Sequence, residues 1–280
     1  MEITFLNPVH KDMIWGSEDW AICNHKNGSN IENFNENRTM YGTKCEKLDR
    51  FPILNKFINA KDRLSIQVHP GDEYALKNDG DSGKTEMWYI VDAKPGAQIV
   101  YGTKEGTEKE DLLSNVEEKL NYVNVEKGDI IFIPSGTIHA VLDGITIFEI
   151  QQNSDTTYRV FDWNRVDKDG KGRELHINKA LDVVNFDFKP EIIKTNNDAG
   201  EKIMVENQYF NMAKVNVKNK YQSKAQLDTF ITYTVIEGEG VLHTEKESHN
   251  LTRNQTFIIP ASIAEFYIEA KNMELIKTYL

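Results

Sequence analysis

Gly-Asp-Ile-Ile-Phe-Ile-Pro-Ser-Gly-Thr-Ile-His, residues 128–139, is the stretch from which the rest of the chain is read. Its Ile-Ile-Phe-Ile run is β-branched and aromatic, the composition of a buried strand. Pro134 cannot continue a hydrogen-bonded ladder, and Gly136 supplies turn freedom, so the strand ends in a tight turn. His139 leaves that turn at the start of the next strand, 140–142. A strand, a turn and an imidazole at the rim make a β-protein element suited to presenting a ligand.

About seventy residues upstream, Leu-Ser-Ile-Gln-Val-His-Pro, residues 64–70, alternates apolar with polar. Leu64, Ile66 and Val68 face one way; Ser65, Gln67 and His69 face the other, because side chains two apart on a strand share a face. Gly-Lys-Thr-Glu-Met-Trp-Tyr, residues 83–89, then opens another strand with Glu86. Gln67, His69, Glu86 and His139 offer two imidazoles, a carboxylate and an amide oxygen. With an open position, that is the composition of a catalytic zinc site; iron or manganese also accept imidazole and oxygen donors.

The same grammar runs through the chain. Residues 62–69, 87–91, 97–101, 122–125, 130–133 and 145–151 read as short strands separated by Gly, Pro, Asp and Lys clusters. This spacing predicts an antiparallel sandwich or barrel. Residues 106–119 carry a helical stripe, with Thr107 and Glu110 spaced as a capping box. Residues 55–60 read as a short turn. Residues 165–201 are charged and Asn-rich around a helix near 178–184, and read as a boundary.

Beyond it, 230–236 is expected as a strand, Glu-Gly-Glu-Gly at 237–240 as a hairpin turn, and 241–244 as its return. Aligning Pro260 with Pro134 overlays residues 257–265 on 131–139 and puts Glu265 where His139 stands. The division that follows is 1–165 as a metal-binding domain, 166–201 as a linker, and 202–280 as a degenerate copy without a metal.

Composition narrows the function classes. A chain of 280 residues with formal net charge −11 disfavours nucleic acid and anionic membrane as partners. No run approaches the roughly 18 apolar residues of a membrane span, and the N-terminus lacks the pattern of a signal peptide. Cys23 and Cys45 are the whole cysteine complement, too few for a disulfide framework, so the cytoplasm is the expected compartment. Gly83-Lys84-Thr85 is not a phosphate loop, because Asp79 stands where the upstream glycine would be. His10, His25, His176, His243 and His249 have no ligand-like spacing.

The spacing Gly128-x5-Pro134-x-Gly136-x2-His139 matches the second motif of the cupin superfamily, and Gln67-x-His69 followed by Glu86 resembles a stretched first motif. Residues 51–70, 83–89 and Gln-Asn-Ser-Asp-Thr-Thr-Tyr-Arg at 152–159 together resemble class I mannose-6-phosphate isomerases of the short bacterial form. The resemblance covers residues 10–165 well and the remainder by general pattern.

It implies two cupin-type jelly-roll domains with a few short helices, mainly β. It also implies one Zn2+ per chain on Gln67, His69, Glu86 and His139, and catalytic roles for Arg159, Lys84, Glu149 and Asp155. The implied substrate is a phosphorylated sugar, mannose 6-phosphate or fructose 6-phosphate, handled by a cytoplasmic monomer or weak homo-oligomer.

An aldose–ketose isomerase must move a proton between carbons 1 and 2 through an enediol. Lys84, Glu149, Asp155 and a zinc-bound water are all candidates for the base. Arg159 and Lys84 are cations suited to an enediolate or a phosphate. Two other readings compete: an iron-dependent cupin dioxygenase and a non-catalytic sugar-phosphate-binding sensor. Gln67 in place of a first-motif histidine, together with Lys84 and Arg159, weighs against the dioxygenase; the complete ligand set weighs against the sensor.

Overall fold

Strands carry nearly half of the chain and helices are short in the computed structural model, which describes residues 2–166, 169–225, 228–263 and 265–280. Among these residues no helix is long and apolar enough to cross a membrane. The chain divides into two compact units, neither contiguous in sequence: residues 10–19 with 56–195, and residues 1–9 with 20–55 and 196–280. The boundaries drawn from sequence follow chain order, whereas compactness does not. Within the stretch expected as a linker, Ile192–Ile193 pairs with Ile130–Ile133, with Ile193 opposite Ile130. The helix Ile177–Val183 forms there as well, and its Ala180 is buried with Ile66 and Val68.

Two sheets build the unit of residues 10–19 and 56–195. One runs in the order Leu120–Asn124, Gln98–Thr103, His139–Val141, Ile66–Val68, Tyr158–Phe161. The other runs Ile192–Ile193, Ile130–Ile133, Glu86–Ala93, Ile145–Gln152, and is extended by residues 56–60 and 10–19. Trp88, Ile131 and Ile147 of the second sheet share one core with Ile99, Tyr101 and Val141 of the first. Each fully buried aliphatic side chain of this kind contributes about 1.5–3 kcal/mol. The strand alternation expected from sequence is what fills this core.

Local expectations failed in three places. Residues 55–60 are not a turn but part of the strand Ile53–Ala60; Asn55 and Lys56 are buried polar residues inside it, not turn formers. Residues 106–119 form two single turns, Asp111–Ser114 and Val116–Lys119, broken at Asn115. No capping box forms, because the Thr107 hydroxyl donates back to the Lys104 carbonyl at 2.7 Å.

The third is residues 237–240, which do not close a hairpin. Ile231–Gly238 and Gly240–Thr244 lie one after the other along the long strand Phe266–Tyr279, with Thr234 opposite Ile276 and Val241 opposite Glu269. Gly238 has φ +85, and a Cβ there would meet the Asn272 carbonyl oxygen at 2.4 Å. The glycines serve a corner pressed against a neighbouring strand.

The other unit carries a larger sheet, whose main path runs Thr4–Leu6, Thr256–Ile259, Ile231–Gly238, Phe266–Tyr279, Asn211–Ser223, Gly200–Glu206. Its register repeats that of the first unit. Ile133 pairs with Glu86 and Ile259 with Ile231; Trp88 pairs with Glu149 and Tyr233 with Lys277. Ile231 therefore occupies the register position of Glu86, and Lys277 that of Glu149.

Candidate metal centre

Three strands deliver the four expected ligands. Gln67 projects from Ile66–Val68 and lies opposite His139 in the register. Glu86 opens Glu86–Ala93, opposite Ile133. His69 follows Val68, and its carbonyl accepts from the Gly136 N–H at 2.8 Å, tying one ligand to the turn that presents another.

His69 Nε2 stands 3.4 Å from Glu86 Oε2, and His139 Nε2 stands 3.4 Å from Glu86 Oε1. The ligand atoms of His69, Glu86 and His139 all lie within 4.8 Å of one another. The Gln67 amide is 3.3 Å from His139 Nε2. Which end of that amide faces inward is assigned from the hydrogen-bond network, and rotation brings its oxygen to the cluster.

The surroundings set these groups up as metal ligands. His69 Nδ1 meets the Thr156 carbonyl and His139 Nδ1 the Thr137 carbonyl, both at 2.9 Å. Each Nδ1 therefore carries the proton, and each Nε2 lone pair points at Glu86. Burial, then the Lys84 cation, push the His69 imidazolium down to about 3, and burial lowers His139. Both rings are neutral at physiological pH, the form that ligates.

Glu86 is completely buried, and among the described residues neither of its oxygens accepts a hydrogen bond of good angle. A buried carboxylate left this way is costly unless a cation meets it. The Lys84 ammonium does so in part, 2.8 Å from Glu86 Oε2 and 3.0 Å from His69 Nε2. The donor set fits a divalent metal held by Gln67, His69, Glu86 and His139.

A cavity of about 290 Å³ is lined by Gln67 and Trp88 together with Lys84, Glu149, Asp155 and Arg159, the last four being the residues expected beside the metal. Glu149 Oε1 accepts from Trp88 Nε1–H at 3.1 Å, and the Trp88 ring meets His139 edge-on at 5.4 Å. Burial and the Glu86 charge push the Glu149 carboxyl up, against the pull of Lys84 and Lys56. Asp155 is exposed at the rim. Arg159 lies opposite Gln67 on the adjacent strand. Its guanidinium donates to Ser65 Oγ at 3.3 Å and to the Glu174 carbonyl at 2.7 Å. A surface pairing of Arg159 with Asp162 does not form, because Asp162 is taken by Arg165 and Arg173.

Sequence reasoning missed Lys56, Glu18 and Arg173, which line the same cavity. Lys56 is 3% exposed, with Nζ 3.3 Å from Glu149 and 3.9 Å from Glu18. Burial opposes its charge, but Glu18, Glu149, Asp155 and Glu86 together hold it protonated above the usual lysine range. The signal was available: a lysine inside Ile-Leu-Asn-Lys-Phe-Ile is rarely buried without a partner. Arg173 gave none, because a basic residue in a charged loop reads as solvated surface.

A larger cavity, about 690 Å³, belongs to the other unit and is lined by Glu245, Lys246, Glu265 and Tyr267 among others. Glu265, the counterpart of His139, is exposed there. Among the described residues, His69, Glu86 and His139 form the one His/Cys/Asp/Glu group able to hold a metal.

Comparison with known proteins shows what the chain is similar to. The family described as mannose-6-phosphate isomerase, cupin domain, matches residues 200–280. Mannose-6-phosphate isomerase ManA of Bacillus subtilis is 35% identical, over 96% of this chain and 96% of that protein. Mannose-6-phosphate isomerase of Streptococcus mutans is 32% identical, over 94% of this chain and 88% of its own length. The crystal structure of mannose 6-phosphate isomerase from Bacillus subtilis superposes with a TM-score of 0.87 at 32% identity, covering 99% of both chains. The fold is mainly β and of cupin type.

Proposed function

Because this chain belongs to the mannose-6-phosphate isomerase family, we propose that it interconverts mannose 6-phosphate and fructose 6-phosphate at the Gln67–His69–Glu86–His139 centre, with zinc bound. The observation that carries this reading is the convergence of two neutral imidazoles on a buried carboxylate, with Arg159 one strand away. Held by Gln67, His69, Glu86 and His139, a zinc ion would supply Lewis acidity toward a sugar oxygen.

The remaining work falls to the chain. In the cavity the reacting carbons would lie beside Trp88, where the partly buried surroundings strengthen the action of nearby charges. Glu149 carries the proton between carbons 1 and 2. It is buried, held in direction by Trp88 Nε1–H, and raised toward the range in which a carboxyl both takes and returns a proton. Lys56 and Lys84 offset the negative charge that develops on the enediolate oxygens. Arg159 holds the substrate in register from the neighbouring strand.

The second unit is a degenerate jelly roll in this reading. It has Ile231 where a carboxylate ligand would stand, and its role is structural.

A coupled assay starting from mannose 6-phosphate, run before and after chelation, tests the reading. Turnover that disappears on chelation and returns with zinc is expected. Metal-loaded protein that binds the sugar phosphate without turning it over would favour a sensor, and iron with oxygen consumption would favour a dioxygenase. Glu149→Gln is expected to retain the metal while losing exchange of the carbon-2 proton with deuterated solvent.

A further inference from the structure

We propose that Arg173 and Arg159 together form the seat for the substrate's phosphate, with Asp162 as the positioning residue that aims Arg173; this rests on the isomerase reading above. The placement begins in the register. Gln67, a ligand, lies opposite Arg159, so the metal centre and the Arg159 side chain share one face, a single strand spacing of about 4.8 Å apart. The segment carrying Arg173 is stitched to that same strand. His176 N–H donates to the Arg159 carbonyl at 2.8 Å, Arg159 N–H meets His176 Nδ1 at 3.2 Å, and Arg159 Nη1 donates to the Glu174 carbonyl at 2.7 Å. Arg173 is thereby set beside Arg159, and both line the cavity that contains the metal centre's Gln67.

Charge points the same way. Asp162 is buried, with a 6% exposed side chain, and receives two parallel hydrogen bonds from Arg173, both 2.7 Å, and one from Arg165 at 2.9 Å. Three half-buried guanidinium groups therefore surround one buried carboxylate. Glu174 and Asp62 are nearby but largely solvated, with side chains 83% and 57% exposed, so they screen little. Burial first, then the like charge of Arg173, lowers Arg159 from the ordinary arginine range.

A cluster of this kind is completed by a dianion. The fork to Asp162 uses Nε and Nη2 of Arg173, and Arg159 uses Nε and Nη1. That leaves Nη1 of Arg173 and Nη2 of Arg159 uncommitted among the described residues. Guanidinium N–H groups held in fixed directions suit phosphate oxygens. A hexose 6-phosphate with its reacting carbons at the metal would extend its phosphate along this face to the arginines.

The test uses the full-length, zinc-loaded protein and two probes, mannose 6-phosphate turnover and calorimetric binding of inorganic phosphate. Arg173→Gln is expected to raise KM and the phosphate dissociation constant by about tenfold or more, with kcat changed less than about threefold. Arg173→Lys retains charge but not the fork, and is expected to recover part of the loss. It also serves if Arg173→Gln does not fold. Unchanged phosphate affinity in both variants, or a loss of kcat at constant KM, would make Arg173 a structural clasp and overturn the proposal. A wild-type protein that turns over mannose 6-phosphate while Arg173→Gln and Arg173→Lys both bind phosphate normally sinks the phosphate seat alone. A wild-type protein that binds phosphate through Arg173 but turns over no mannose 6-phosphate sinks the isomerase reading and keeps the seat.

Discussion

Arg159 and His139 lie on strands flanking the same short strand, Ile66–Val68, yet their removal should have different consequences. His139 is a proposed ligand with its Nδ1 already committed to Thr137, so His139→Ala is expected to lower zinc content and activity together. The Arg159 guanidinium reaches the proposed ligand Gln67 through the Ser65 hydroxyl, so Arg159→Ala should retain zinc and lose turnover. Metal analysis beside the coupled assay separates the two; full activity in a zinc-loaded Arg159→Ala protein removes Arg159 from the reaction.

Asp162 makes a prediction about stability. Burial pushes its carboxyl up, but the hydrogen bonds of Arg173 and the charges of Arg173, Arg165 and Arg159 outweigh it and hold the carboxyl below the usual range. A folded pKa below the unfolded one gives stabilisation that is complete above about pH 4–5, and that is lost as pH falls through the folded value. Asp162→Asn should therefore cost about 1–3 kcal/mol at pH 7 in denaturant titrations, and the gap from wild type should shrink by pH 3. A gap that widens in acid would contradict the assignment.

At the scale of elements, the turn between Ile130–Ile133 and His139–Val141 does the most for the site. Gly136 has φ +89, donates to His69 and accepts from Asn185 N–H at 2.8 Å, and a Cβ on it would meet the Val183 carbonyl oxygen at 2.8 Å. Gly136→Ala should cost about 1–3 kcal/mol in stability and weaken zinc binding, because the same turn fixes His69 and His139. Thermal melting and zinc titration on one preparation check both; a lowered melting point with undiminished zinc affinity would uncouple the turn from the ligands.

This turn was legible in the sequence because Pro134 and Gly136 each have one strong local meaning. The candidate cluster was legible because strand periodicity puts Gln67 and His69 on one face whatever the strand packs against. The Glu237–Gly240 corner was misread for a physical reason. Glycine pairs serve hairpins and close backbone approaches equally well, and only the pairing of both flanking strands with Phe266–Tyr279 distinguishes them. Lys56 and Arg173 belong to the same class, since what makes them important is a partner distant in sequence.

Over the whole molecule, a repeated strand register has been used twice with different chemistry: Glu86, Glu149 and Trp88 in one unit stand where Ile231, Lys277 and Tyr233 stand in the other. Proline alignment exposed this repeat in the sequence, but the partition into units did not follow chain order, because residues 20–55 join the C-terminal part. Metal removal should then act on one unit. A ligand that binds only the folded form stabilises it by about 4 kcal/mol at a thousand times its dissociation constant, so chelation should lower the melting point by several degrees.

It should not unfold the protein, because Lys84 stands 2.8 Å from Glu86 and supplies a positive charge. That compensation is testable by a cycle. With zinc bound, Lys84→Met leaves Glu86 still met by a cation, and stability should change little. After chelation the same substitution leaves a fully buried carboxylate without one, and should cost about 3–5 kcal/mol. Denaturant midpoints of wild type and Lys84→Met, each with zinc and with chelator, give the coupling directly. Equal costs in the two conditions would mean that Lys84 does not stand in for the metal, and that Glu86 is satisfied some other way.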